Sequence, residues 1–241
     1  MFEDDPTVLY VSLHRYGGGF YPGFSGAPSE IGYGAGKGYN CNIGWRAPAG
    51  ADASESPQYG DAEYVAAFER LIMPLAREFG PGLVIVSAGF DAAAGDPLGG
   101  MLVSPAGYAH MTHLLRGVAG GRVVVALEGG YNLRSIATSA AAVMAVLLGE
   151  APPLLPPLRA APRALKDIAR TAARLAPHWR CLRDAVVVHG DAPAKGAPPA
   201  GAAPGPRRSV SDPVTAAERG AVRKPWPGRR PGAWWRRWPY L

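Results

Sequence analysis

Two kinds of apolar pattern alternate over the first 150 residues of the chain. Short apolar runs at 7–13, 83–86 and 123–127, with a weaker one at 39–43, are typical of strands buried in a sheet. Longer stretches with apolar residues at helical spacing occur at 61–79, 104–118 and 132–148. Strands that alternate with helices predict βαβ units and an α/β fold with a parallel sheet. Three or four strands are few for such a sheet, so the pattern predicts the later part of a larger one.

Capping residues and prolines mark the ends of the predicted helices. Asp61 is a candidate N-cap, and Pro74 is expected to kink the helix that Asp61 begins. Ser104 before Pro105 predicts the start of the second helix, because proline is tolerated in the first turn. The third helix is expected to run from Asn132 to Leu148, ahead of a glycine stop.

Beyond residue 150 the composition changes twice. A proline-rich crossing leads to an amphipathic stretch at 164–182, so residues 151–188 are expected to close the domain that residues 1–150 form. Residues 189–241 contain 10 Pro and 7 Gly without periodicity, which predicts a disordered tail.

The net charge of +6 belongs to the tail. Residues 189–241 contain 10 Lys and Arg and 3 Asp and Glu, whereas the preceding 188 residues contain 15 and 16. A neutral folded part argues against direct nucleic-acid binding by the domain. The tail itself mixes arginine with tryptophan, which is compatible with weak binding to nucleic acid or an anionic membrane. A disordered extension and a mistranslated segment are the other two interpretations, and both rank above a binding function.

Other compositional features favour an intracellular protein. No apolar stretch reaches the roughly 18 residues that a membrane span needs. The acidic N-terminus lacks the charged and apolar regions of a signal peptide. The two cysteines, Cys41 and Cys181, form no disulfide framework or zinc-finger spacing and are interpreted as small buried residues.

Candidate chemistry lies directly after two of the predicted strands. Asp91 follows the run at 83–86, and Tyr131 follows the run at 123–127 behind Gly129 and Gly130. Ligands of open α/β sheets bind beyond the carboxyl ends of the strands. An aspartate is a hard-oxygen metal ligand, and a tyrosine beside a glycine pair can donate a proton or hydrogen bond. Taken alone, however, Asp91 could equally be a capping residue and Tyr131 a half-buried side chain.

Three further features favour structural interpretations. Asp96 precedes a proline and is interpreted as a turn residue. His110 and His113 share a helix face but lie far from any strand end, so a helix-face or core role is expected. The glycine-rich segment 32–38 lacks the spacing of a phosphate-binding loop.

Several long motifs, in order, resemble a class II histone deacetylase, and most closely the class IIb catalytic domain. They are FEDDPTVLYVSLHRY (2–16), FYPG (20–23), GKGYNCNIGW (36–45), GDAEYVAAF (60–68), LVIVSAGFDAAAGDPLGG (83–100), SPAGYAHMTHLL (104–115), LEGGYNL (127–133) and HWRCLR (178–183). The resemblance covers residues 1–188 and implies the C-terminal part of an arginase-like, three-layer α/β catalytic domain.

This resemblance implies a zinc hydrolase that removes acetyl groups from lysine, such as the lysines of histones or tubulin. In the family, two aspartates and a histidine hold the zinc ion, a tandem histidine pair assists the attacking water, and a tyrosine binds the carbonyl oxygen. Asp91 matches the second aspartate ligand, and Tyr131 matches the tyrosine. The other ligands and the histidine pair belong to a motif upstream of the FEDDP segment. We therefore expect the chain to be inactive alone; a non-catalytic interaction module in a repressor or cytoskeletal complex is the alternative.

The resemblance also implies residues that bind substrate and monovalent cations. Tyr21 matches an aromatic wall of the acetyl-lysine tunnel, and Leu98 matches a rim position where polyamine-deacetylating relatives carry glutamate. Gly129 and Gly130 give backbone access to the substrate channel. Potassium is implied at two places, the first formed by Ser12 and Leu13 and the second by Phe2, Asp5, Val8 and Tyr39. Expected partners are acetylated proteins and corepressor or cytoskeletal assemblies, in the nucleus, the cytoplasm or both.

Overall fold

Two pairs of parallel strands form the sheet layer of the protein. The computed structural model describes residues 1–17, 25–46 and 58–183. Strand β1 (Tyr10–Tyr16) pairs with β2 (Asn40–Arg46), and β3 (Val84–Ala88) pairs with β4 (Val123–Leu127). The parallel α/β arrangement is confirmed. Within the described ranges, however, the strands form two separate two-stranded sheets rather than one.

Strand β1 begins three residues later than its apolar run predicts. The Asp5 carboxylate accepts hydrogen bonds from the backbone and the hydroxyl group of Thr7, at 2.8 and 2.6 Å. The Val8 amide also donates to the Asp5 carbonyl at 3.4 Å. These local bonds hold residues 5–8 in a turn, because aspartate side chains compete with strand pairing for backbone N–H groups.

The first long helical stretch runs through a π-helical turn. Helix α1 (Asp61–Ala67) continues through the π turn Phe68–Ile72 into α2 (Met73–Phe79). Pro74 has no N–H group and its ring crowds the preceding turn of a regular helix. The wider π turn ends at Ile72, two residues before Pro74, and such turns are a common way for a helix to accommodate a defect.

Asp61 is not the N-cap of α1, so that prediction is wrong. Gly60 occupies the cap position, and its N–H group donates to Glu63 Oε2 at 3.0 Å. Asp61 instead accepts hydrogen bonds from the backbone and hydroxyl group of Ser104, at 2.8 and 2.6 Å. Asp61 does accept a hydrogen bond from a backbone N–H group, but that group belongs to the residue that caps α3 and not to α1.

The two helices beside β3 and β4 begin where the sequence predicts. Ser104 caps α3 (Pro105–Arg116) by accepting from the Gly107 amide at 3.1 Å. Asn132 caps α4 (Leu133–Leu147) by accepting from two first-turn amides at 3.0 and 3.1 Å. Each cap satisfies N–H groups that have no partner within the helix.

The C-terminal part of the described chain closes the core over β2. Helix α5 (Pro162–Leu175) contributes Thr171, whose hydroxyl group donates to the Asn42 carbonyl at 2.8 Å. Trp179, just beyond α5, donates from its indole to the Gly38 carbonyl at 2.8 Å. Strand β2 is buried along nearly its whole length, as expected of a parallel strand covered on both faces.

One face of the β3–β4 pair remains exposed. Leu83, Ile85 and Val124 are 50, 68 and 51% exposed, and Ile85 lies opposite Val124 in the register. Parallel strands are normally covered on both faces, so this apolar face is unusual.

Candidate functional site

The carboxyl ends of β3 and β4 lie side by side and carry the two residues that the sequence singles out. Asp91 lies in the 3₁₀ turn Phe90–Ala92 after β3. The Phe90 amide donates to the Gly129 carbonyl at 2.8 Å. This bond joins the turn of Asp91 to residues 129–131, which we call the Gly-Gly-Tyr turn.

Three glycines surround Asp91. A Cβ atom at Gly89 would lie 2.9 Å from Asp91 Oδ1, and one at Gly129 would lie 3.5 Å from Asp91 Cγ. A Cβ atom at Gly99 would collide with the backbone oxygen of Asp91. Burial, together with the nearby charge of Asp96, raises the pKa of the Asp91 carboxyl group above its usual value. A cation near this carboxylate would favour its ionised form.

Tyr131 is held by a constrained backbone but has an exposed side chain. Gly130 has φ +128°, a conformation that L-residues rarely adopt. A Cβ atom there would lie 2.9 Å from Ile136 Cγ1 and 3.1 Å from Phe90 Cβ. The Tyr131 side chain is 59% exposed, so its hydroxyl group is accessible to a ligand.

A turn at residues 94–99, which we call the rim turn, is fastened to the start of α4. The Asn132 side-chain amide donates to the Gly95 carbonyl, and the Ser135 hydroxyl group donates to the Ala94 carbonyl, both at 2.8 Å. Leu98 lies on this turn and is 56% exposed. Asp96 accepts a hydrogen bond from the Tyr131 amide at 2.7 Å. The sequence indicated only a local role for Asp96, because nothing in its spacing reveals a partner 35 residues away.

Asp91 also faces a cavity of about 400 Å³ beside strand β1. Ser12, Leu13 and His14 contribute to the lining of the same cavity. Arg15, another lining residue, is buried and donates from Nη1 to the Gly99 carbonyl at 3.1 Å. The structure therefore brings the predicted first potassium residues to the cavity that Asp91 borders, although the two sequence segments are far apart.

His14 fixes the orientation of the Ser12 hydroxyl group. His14 Nε2 lies 2.8 Å from the Gly26 carbonyl oxygen, and Nδ1 lies 2.8 Å from Ser12 Oγ. Because a carbonyl can only accept, Nε2 carries the proton, and Ser12 therefore donates to Nδ1. Burial lowers the pKa of His14, which favours this neutral form. The oxygen lone pairs of Ser12 are not used in this bond.

Residues of the predicted second potassium site are close along the chain and across the strand pair. The Asp5 amide donates to the Phe2 carbonyl at 3.2 Å, and Val8 follows in the next turn. The Tyr39 carbonyl accepts from the Tyr10 amide at 2.9 Å. Tyr39 thus precedes β2 and bonds to the first residue of β1. The cation-binding role of these residues stays a prediction.

Other predicted residues lie away from the strand ends or outside the described chain. Tyr21 falls outside the described residues, as does the tail. His110 Nε2 lies 2.7 Å from the Pro153 carbonyl, which agrees with a role on the helix surface. Cys41 is fully buried and Cys181 partly buried. Arg15 is a site residue that the sequence patterns do not predict, although an arginine two residues beyond the apolar run at 7–13 is a signal that could have identified it.

Within the described ranges, no group of three or more His, Cys, Asp and Glu side chains is arranged to hold a metal ion. Asp91 fits a metal ligand by its chemistry, its partial burial and the glycines that leave space around it. It is a single carboxylate, whereas a catalytic zinc ion typically takes about three protein ligands. Among these same residues, no helix is both long and apolar enough to cross a membrane.

Comparisons with known proteins agree with this architecture. The histone deacetylase domain family matches residues 1–147. The chain is 50% identical over 184 residues to histone deacetylase clr3 of Schizosaccharomyces pombe, and 46% identical over 186 residues to human polyamine deacetylase HDAC10. Each alignment covers 76% of this chain and 26% of the relative.

Similarity to a solved structure gives the same result. The structure of histone deacetylase Clr3 matches with a TM-score of 0.70 and 50% identity, over 76% of this chain and 30% of that one. The chain thus spans about a quarter of the length of these curated relatives. The fold, the family match and the strand-end residues agree, and the chain belongs to the histone deacetylase domain family.

Proposed function

We propose that this chain supplies part of the active site of a zinc-dependent lysine deacetylase, which hydrolyses the acetyl amide of acetyl-lysine in proteins. The observation that carries the proposal is the 2.8 Å bond between the Phe90 amide and the Gly129 carbonyl. It holds the turn of the partly buried Asp91 carboxylate against the turn of the exposed Tyr131, at one edge of the β3–β4 pair and within a chain of this family.

Asp91 would serve as one ligand of the zinc ion. When bound in such a site, zinc polarises a carbonyl group and lowers the pKa of water. The carboxylate is negatively charged and partly desolvated, which favours a cation beside it. The remaining ligands come, in this proposal, from residues outside the described ranges, and the chain alone lacks deacetylase activity.

Tyr131 would donate a hydrogen bond to the oxygen of the acetyl group as negative charge develops on it. Its exposed side chain lies on a turn in which Gly130 adopts a positive φ. Removal of one such donor typically lowers kcat by about 10²–10³-fold. The glycine pair also keeps side chains out of the approach to Asp91, since a Cβ atom at Gly129 would contact its carboxylate.

The rim favours an acetyl-lysine within a protein over an acetylated polyamine. Leu98 is 56% exposed and adds apolar surface to the rim. A carboxylate at this position would attract a cationic substrate, and leucine would not. We expect Leu98→Glu to raise the ratio of acetyl-polyamine to acetyl-peptide hydrolysis, and Leu98→Gln, of the same size without the charge, to change it less. Equal effects of the two variants would remove the electrostatic basis of this assignment.

The cavity beside Asp91 would also hold a potassium ion, with Ser12 and Leu13 contributing oxygen atoms. The Ser12 proton is committed to His14, so its oxygen can turn lone pairs towards a cation. Hard cations such as this prefer oxygen ligands, including backbone carbonyls. A second ion would bind near Phe2, Asp5, Val8 and Tyr39. Histones or tubulin would be the substrates, in a nuclear or cytoplasmic assembly with corepressor or cytoskeletal proteins.

The test combines zinc binding with a deacetylase assay. The full chain is titrated with zinc by calorimetry, and its activity on an acetyl-lysine peptide is measured alone and together with the part of the Clr3 domain that precedes the matched region. We expect no sub-micromolar zinc binding by the chain alone, and activity only in the mixture.

Two variants assign the residues within that mixture. Asp91→Asn should abolish zinc-dependent activity, and Tyr131→Phe should lower kcat by about 10²-fold or more. Tyr33→Phe is the matched control, since Tyr33 is 58% exposed but lies far from the strand ends in sequence. Stoichiometric zinc binding by the chain alone, or full activity of Asp91→Asn in the mixture, would contradict the proposal.

A second candidate function is a non-catalytic interaction module. The exposed apolar face of β3 and β4, with Ile85 at 68% exposure, favours it, because large exposed apolar patches often mark interaction sites. Under that alternative, Ile85→Ser would weaken assembly with a corepressor or cytoskeletal complex while Asp91→Asn would have no effect on any cellular readout.

A further inference from the structure

A single buried carboxylate joins the rim turn to the Gly-Gly-Tyr turn. Asp96 is 9% exposed. Its Oδ2 atom accepts from the Tyr131 amide at 2.7 Å, and its Oδ1 atom accepts from the Leu98 and Gly99 amides at 2.8 and 2.9 Å. Hydrogen bonds from N–H groups to an ionised carboxylate are roughly twice as strong as neutral ones.

We propose that Asp96 is a positioning residue that fixes the backbone of Tyr131 relative to Asp91 and Leu98. The inference rests on the proposed function, in which Tyr131 donates to the substrate oxygen. Asp96 touches neither the substrate nor the metal ion in this proposal. It acts through the amide of Tyr131 and through the rim turn.

The position of Tyr131 in the chain makes this one bond important. On one side is Gly130, whose positive φ is open only to a flexible residue. On the other side is Asn132, whose side chain caps α4 through the amides of later residues. The Tyr131 amide therefore lies between a glycine and a helix cap, and Asp96 holds its orientation. A donor only about 1 Å out of place can cost about 10²-fold in rate.

Aspartate suits this position better than asparagine. The carboxylate presents two oxygens to two separate groups of N–H donors. An asparagine has one oxygen and one NH₂ group, so in either orientation it sets a donor against a donor. Asp96→Asn therefore keeps size and polarity while it removes either the Tyr131 bond or the Leu98 and Gly99 bonds.

A matched control comes from the same contact between the rim turn and α4. The Ser135 hydroxyl group donates to the Ala94 carbonyl at 2.8 Å. Ser135→Ala removes this link without changing any bond of Tyr131. If Asp96 is only a turn residue, the two variants should alter Tyr131 equally.

The first measurement is amide hydrogen exchange by NMR in the full chain, with the Tyr131 signal assigned from a Tyr131→Phe sample. We expect the wild-type Tyr131 amide to exchange at least about tenfold more slowly than the amide of the exposed Leu133. Asp96→Asn should remove most of that protection, and Ser135→Ala should change it less than twofold. If Asp96→Asn does not fold, the wild-type comparison still decides, because an unprotected Tyr131 amide would overturn the proposal.

The second measurement is kinetics in the mixture with the preceding part of the Clr3 domain. Asp96→Asn should lower kcat by about tenfold or more with little change in KM, whereas Ser135→Ala should leave both close to wild type. If Tyr131→Phe is fully active, the proposed function fails and the exchange data still report on Asp96. If Tyr131→Phe is impaired and Asp96→Asn is not, the positioning role is refuted.

Discussion

Gly130 offers a direct test of how tightly the Gly-Gly-Tyr turn is packed. Its φ of +128° imposes a strain of about 1–3 kcal/mol on any residue with a Cβ atom. The same Cβ would lie 2.9 Å from Ile136 Cγ1 and 3.1 Å from Phe90 Cβ, and overpacking of this kind costs about 1–3 kcal/mol. We therefore expect Gly130→Ala to lower the free energy of unfolding by about 2–6 kcal/mol, the sum of these two ranges.

Gly149 separates the two contributions. It has φ +107°, and nothing lies within 4 Å of its ideal Cβ position. Gly149→Ala should therefore cost only the backbone strain, about 1–3 kcal/mol. Gly82→Ala, at a position with open space and no positive φ, should cost little and provides the baseline.

Urea unfolding followed by circular dichroism measures all three variants. A double variant, Gly130→Ala with Ile136→Ala, should be less destabilised than the sum of the single changes by about 1 kcal/mol, because the closest contact is removed. The steric part of the reasoning is refuted if Gly130→Ala and Gly149→Ala agree within about 0.5 kcal/mol.

Three further predictions concern packing, capping and pH. Trp179→Ala should lower the free energy of unfolding by about 3–5 kcal/mol, because it removes a buried aromatic side chain. Trp179→Phe should lower it by about 1–3 kcal/mol, because it leaves only the Gly38 carbonyl without its partner. Equal losses of the two variants in urea unfolding would contradict this separation of packing from hydrogen bonding. Glu63→Ala should cost about 1–3 kcal/mol, because Glu63 accepts from the Gly60 and Ala161 amides, whereas Ala at the exposed Glu69 should be near neutral. Burial lowers the pKa of His14 below 6.5, so the unfolded state binds this proton more readily and stability should fall as pH drops below about 6.5. His14→Gln should flatten that acid-side slope in unfolding measurements, and an unchanged slope would assign it to other groups.

The strands and the helix caps could be predicted from the sequence, because they depend on interactions between residues that are close along the chain. Strand β4 coincides with the apolar run at 123–127, and Ser104 and Asn132 cap helices as predicted. A cap needs only the residue and the next few amides. Where competing local bonds exist, as at Asp5 and Thr7, the boundary shifted by three residues.

Long-range partners could not be predicted in the same way. The sequence indicated that Asp61 and Asp96 each accept hydrogen bonds from nearby amides. Each in fact accepts from an amide of a distant segment, that of Ser104 for Asp61 and that of Tyr131 for Asp96. Hydrophobic periodicity indicates which face of an element is buried but not which element covers it. The resemblance indicated that Asp91 and Tyr131 share a site, whereas no spacing could give the role of Asp96.

The sequence by itself determined the alternation of strands and helices, the family, and the identity of the acidic and phenolic groups after β3 and β4. The tertiary structure decided how those groups are held, through the Phe90–Gly129 bond, the three bonds of Asp96 and the absence of space at Gly130. The physical reason is the distance along the chain over which each interaction acts. Propensities and caps act over a few residues, whereas the geometry of a site depends on contacts between segments that only the folded chain brings together.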